Sequence, residues 1–348
     1  MDSRFVPVIL VSFFAICMLL SSLSNSQSLV EAATNTVFVT TDGNCNGATP
    51  CYSNLQSAVD AVEEGGIIKV AGGMYTGVTT SSTYSTDTFT ATQLLLIKKN
   101  IRIIGGFTSS NWNESSLIPN TTFLDAQGTG RVIFVTGNVN VDLENLWLLN
   151  GEAAWLGGHS DGDAVGGIYN AASSLEIKST VIANNDAKAN SLRGDMCTGI
   201  SASGYGGGLY NSTNSTILLE NTVLDRNTVQ PIDGACFGGG LAHGGAIFND
   251  GQLILNNTDF FLNAATGAVD TGGGSGFGGA IFNSMNGDLT YTNGFVNGNN
   301  VYSGSGVGGG STSGGAIFND GGNVKLEGLK IDNNAATSAS ASFPGNAA

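Results

Sequence analysis

Positive charge is scarce in this chain of 348 residues: 12 Lys and Arg stand against 27 Asp and Glu, a net charge of −15. That balance excludes a protein that binds by neutralising phosphates, so no nucleic-acid partner is expected. It also disfavours an anionic membrane surface. Proline is limited to 5 residues, which excludes collagen and Pro-rich linkers. Charged residues make up only 11% and hydrophobic residues 41%, so the chain is not an acidic disordered tail. After residue 32 no apolar run is long enough to span a membrane as a helix. Nucleotide loops, zinc spacings and nucleophile elbows are missing, and neither a cofactor nor a metal is expected.

Glycine and asparagine are plentiful instead. Gly alone accounts for 52 residues, about twice ordinary usage. With so little charge, this composition implies many tight turns between short buried strands. At the start, Arg4 precedes an apolar run, Phe5 to Leu20, and a polar stretch, the layout of a secretory signal peptide. Residues 1–32 are assigned to it, and the protein is expected to be secreted, at the cell surface or at the outer membrane. Cys17 falls inside the signal, leaving four cysteines in an exported chain. Cys45 and Cys51 are close enough in sequence to close a small loop.

A repeat dominates the rest. Gly244-Gly-Ala-Ile-Phe-Asn249 recurs as Gly278–Asn283 and Gly314–Asn319, with looser copies ending at Asn170 and Asn211. The terminal asparagines are spaced 41, 38, 34 and 36 residues apart. A second block follows each copy, alternating apolar and polar residues and ending in apolar-x-x-Asn. Its asparagines are read as Asn184, Asn227, Asn263, Asn299 and Asn334, with Asn150 one coil earlier. Period-two alternation means half-buried strands, two or three per repeat. No helical-repeat or propeller signature is present. The expected fold is all-β, a right-handed parallel β-helix of seven or eight coils. Stacked asparagines at 170, 211, 249, 283 and 319 would form a side-chain ladder.

Residues 33–78 read as an N-terminal cap and first coil, with a short amphipathic helix over Ser53–Glu64. Its buried face would carry Leu55, Ala58, Val59 and Val62. Coils are expected over 79–334 and a low-complexity tail over 335–348. No cap is readable after Asn334, so a continuation of the chain, bearing an anchor or a barrel, is one expectation.

The Gly-Gly-Ala-Ile and Phe-x-x-Asn motifs, over roughly residues 140–335, resemble the repeats of the polymorphic outer-membrane proteins. The resemblance implies an extended, surface-exposed adhesin. No segments with the alternation of an autotransporter barrel follow here, unlike in that family.

Stretches before each Gly-Gly unit vary in length and should emerge together as a loop face, where binding would reside. Cys197 and Cys236 occupy nearly equivalent places in successive loops, so a bridge between them is expected. His159, Asp161 and Asp163 form the densest polar cluster. With Arg193, Asp195 and His243 they are the candidate ligand-facing residues. Asp42-Gly-Asn44 begins like a calcium loop but lacks the closing Glu, and reads as a turn. Asn257-Thr-Asp259 matches one glycosidase motif without its companions. No catalytic residue is assigned. The leading expectation is a non-enzymatic protein binding a glycan or a cell-surface receptor. The alternative is a polysaccharide lyase or glycoside hydrolase.

Overall fold

Strand Gln252–Asn256 shows how the coil is built. Leu253 and Leu255 are fully buried, while the residues between them turn the other way. The strand pairs in parallel with Thr216–Glu220 before it and Asp288–Asn297 after it, placing Leu255 between Leu219 and Tyr291. An apolar face made this way is buried only when turns stack.

The computed structural model describes residues 35–81, 91–152, 165–188, 203–231, 239–269, 272–306 and 308–339. Over these the protein is a parallel β-solenoid of about 6 turns. Thr36–Val39 and Cys51–Tyr52 extend the long sheet at the first edge of the stack, beside Gly66–Ala71. One turn contains five strands: Ile247–Asn249, Gln252–Asn256, Asp259–Phe261, Ala264–Thr266 and Gly276–Phe277. The last two are too short to show alternation, and the sequence reading of two or three strands passes over them. Four sheets of 16, 8, 5 and 4 strands run along the solenoid. Thr79–Ser81 pairs antiparallel with Ala91–Ile97, and Ala335–Thr337 pairs with Asn300–Tyr302.

The helix spans Leu55–Ala61, shorter than the amphipathic pattern. Asn54 caps it by accepting the Ser57 N–H at 2.8 Å. Leu55, Ala58, Val59 and Val62 are all buried in the core. Gln56 fixes the helix to a neighbouring strand, donating to Leu96 O at 3.1 Å and accepting from Leu96 N–H at 2.8 Å. The Cys45–Cys51 disulfide is present. The Asp42 segment is a turn in which Asn44 N–H donates to Asp42 Oδ1 at 3.0 Å.

Two asparagine ladders run through the interior. In the first, each Nδ2 donates to the Oδ1 one turn on: Asn170 to Asn211 at 3.3 Å, Asn211 to Asn249 at 2.8 Å, Asn249 to Asn283 at 2.7 Å and Asn283 to Asn319 at 2.8 Å. The second links Asn185, Asn227, Asn263, Asn299 and Asn334 at 2.8 to 3.0 Å. Its first member is therefore Asn185, which corrects the reading of Asn184. Asn184 and Asn150 instead hold the left-handed corner one residue earlier, at φ 55° and 53°. Arg226, Leu262 and Gly298 hold the same corner in later turns.

The paired glycines do two different jobs. Gly278 has φ +67°, a conformation that a side chain disfavours. Gly279 lies so close to the next turn that a Cβ would sit 2.2 Å from Gly315 O.

Candidate functional site

The strands after the long face carry outward side chains in two columns. In register, Phe123, Trp147, Val181, Val223 and Asp259 form one column. Leu149, Ala183, Asp225, Phe261 and Asn297 form the other. Between them Leu124, Leu148, Ile182, Leu224 and Phe260 point into the core and are fully buried. Apart from Asp259, the columns line a groove of about 770 Å³, which the corner residues Asn184, Arg226 and Leu262 also line. From Phe123 to Asp259 is four turns, about 19 Å at about 4.8 Å per turn.

The groove is largely apolar, with aromatic rings at both ends. Phe123 packs edge-on against Trp147 at 5.7 Å, and Phe261 lies 5.6 Å from Phe295. Arg226 is held by the Asp225 carboxylate. Asp259 accepts the Phe295 N–H at 2.8 Å, which ties its carboxylate to the next turn. The Trp147 Nε1–H is buried without a hydrogen-bond partner. Such a group costs about 1–3 kcal/mol unless something accepts from it.

His243 is placed differently from its expected position on a ligand-facing loop. It lies in strand Ala242–His243, stacked between Tyr205 at 4.9 Å and Phe277 at 5.5 Å. A parallel column, running through Tyr169, Tyr210, Phe248, Phe282 and Phe318, presses edges against it. Burial drives the imidazole pKa down to about 4, and its Nδ1 has no partner. At neutral pH it is an uncharged member of an aromatic stack.

His159, Asp161, Asp163, Arg193, Asp195, Cys197 and Cys236 lie outside the described residues, as does the signal segment. Among the described residues, no three His, Cys, Asp or Glu side chains gather as a metal site. No described helix is long and apolar enough to cross a membrane. The groove went unread in the sequence because its residues come from five turns. Consecutive apolar residues such as Trp147-Leu148-Leu149 were the available signal, since one of each pair must face outward. Comparison with protein-family models, curated proteins and solved structures finds no match for the chain.

Proposed function

We propose that the protein is an exported, non-enzymatic binding module that takes an extended glycan chain along the Phe123–Phe261 groove. The observation that carries this reading is the Phe123–Trp147 ring pair lining one end of the groove. Aromatic faces are large apolar platforms that pack against the C–H surface of sugar rings. A groove with a rung about every 4.8 Å suits a linear polymer with a short repeat. The likeness of the repeats to those of the polymorphic outer-membrane proteins supports a surface setting and an adhesive role.

The purified protein, titrated with neutral and uronic-acid oligosaccharides of two to eight residues, tests the reading. Micromolar to millimolar binding that Trp147→Ala and Phe261→Ser each weaken tenfold or more is expected, with both variants folded by circular dichroism. Failure of every glycan to bind overturns it. New reducing ends or unsaturated products would replace it with the lyase or hydrolase reading and direct attention to residues 153–164.

A further inference from the structure

Phe123 lines two depressions. One is the groove. The other is a cleft of about 560 Å³ at the corner where the first turns begin. Its walls come from three segments: Thr40–Asp42 after the first strand, Phe107–Ser109 after strand Ile101–Phe107, and Pro119–Thr121 before strand Thr122–Asp125. Gly72 and Gly73 form its floor. A Cβ on Gly73 would fall 2.7 Å from the Thr41 methyl, so the close approach of these segments depends on glycine there.

The cleft has the opposite chemistry to the groove. Thr41, Thr108, Ser109, Asn120 and Asp42 line the cleft together with Phe123. No Lys or Arg is among its lining residues. Lys69, which packs over the Phe107 ring at 5.2 Å, directs its ammonium to Trp112 O at 2.6 Å. The Asn44 N–H and the Thr40 hydroxyl hold the Asp42 carboxyl below its usual range, so it is ionised at neutral pH. An ionised carboxylate accepts about four hydrogen bonds and repels another anion. Donor-rich, uncharged hydroxyl groups satisfy such a site. Phosphate, sulfate or a uronate carboxylate would not.

We propose that the cleft is a terminal subsite, which binds the neutral, hydroxyl-rich end residue of the chain whose body lies in the groove. This rests on the glycan reading above. Phe123 is the shared platform where the chain passes from the apolar groove into the polar cleft. Asp42 and Thr41 accept from and donate to the hydroxyls of that end residue. The ligand class is thereby narrowed to a neutral glycan, at least at this end.

The test is a length series on the purified protein with neutral gluco-, manno- and galacto-oligosaccharides of two to eight residues, and with uronic-acid oligomers of the same lengths. Wild-type affinity for one neutral series should rise until the oligomer spans both groove and cleft. Asp42→Asn and Thr41→Val, both conservative changes at exposed positions, should lower affinity for the long oligomers about tenfold. They should leave the short ones unchanged. Trp147→Ala should weaken every length. If the cleft variants change nothing, or weaken all lengths equally, the subsite is wrong and the groove reading survives. Tighter binding of uronic-acid oligomers also overturns it. If no oligosaccharide binds the wild type, the glycan reading fails, and that outcome is distinct from all of these.

Discussion

The imidazole of His243 lies face to face with the ring of Tyr205, the two planes 7° apart and the centroids separated by 4.9 Å. A charged imidazolium does not belong in that stack, and burial keeps its folded pKa at about 4, below the 6.5 usual for histidine. The unfolded chain therefore binds the proton first. The stabilisation is complete above about pH 6.5 and disappears as pH falls through about 4. Its size is roughly 2 to 4 kcal/mol. Asp320 is the charged group that opposes the shift. Urea unfolding of wild type and His243→Phe between pH 3.5 and 7.5 should diverge steadily below pH 6.5, the variant being the less pH-sensitive. Parallel curves would show that His243 titrates normally.

Asn227 is a fully bonded rung of the second ladder, as are Asn263 and Asn299. Its Oδ1 accepts both the Asn185 N–H at 3.2 Å and the Asn185 Nδ2 at 2.9 Å, and its Nδ2 donates to Asn263 Oδ1 at 3.0 Å and Ile182 O at 2.9 Å. Replacing it with Leu keeps the volume and strands these buried partners. A loss of about 3–5 kcal/mol is expected from several unsatisfied groups together. Hydrogen exchange should localise the damage to the turns around Asn185 and Asn263. A loss under 1 kcal/mol would mean that water or backbone rearrangement replaces the ladder.

Glycine positions should separate into two grades. Gly279→Ala puts a methyl 2.2 Å from Gly315 O and should cost several kcal/mol, because two backbones have to part. Gly128→Ala meets nothing closer than 3.9 Å, the Glu152 carboxylate, and pays only for its φ of +66°. About 1–2 kcal/mol is expected there. Thermal melts of the two variants side by side decide it, and similar losses would contradict the close approach.

Trp147 offers a finer test of the groove. Trp147→Phe keeps an aromatic face but removes the unpartnered Nε1–H. Its stability should hold or rise by up to about 1 kcal/mol. Its affinity for the best-binding oligosaccharide should stay within about threefold of wild type, since the aromatic face lining the groove is kept, whereas Trp147→Ala should lose tenfold or more. A loss as deep as that of Trp147→Ala would show that the aromatic face is not what the ligand packs against.

Much of the architecture was readable because the core is periodic. Leu253 and Leu255 repeat in kind in every turn, and Asn249, Asn283 and Asn319 recur inside one hexapeptide. The error at Asn184 arose where two asparagines are adjacent and perform different tasks. Counting from the inward Ile182, rather than the outward Val181, would have selected Asn185. The groove was opaque for the opposite reason. Its side chains are those that face away from the periodic core, and only the register between turns aligns Trp147 with Val181 and Val223. His243 looked like a loop residue because strand Ala242–His243 is two residues long.

In the first asparagine ladder every amide proton passes from one turn to the following one in the same sense, from Asn170 through to Asn319. A chain with a uniform direction has interchangeable links. Excising residues 250–283 would bring Asn249 into the position of Asn283, with Asn319 waiting as its acceptor and Asn227 meeting Asn299 in the other ladder. The solenoid would shorten by one increment of about 4.8 Å and need no new chemistry. Length is thus a quantity that recombination between repeats can adjust in whole steps, lengthening or trimming the reach of the molecule while its cross-section stays the same.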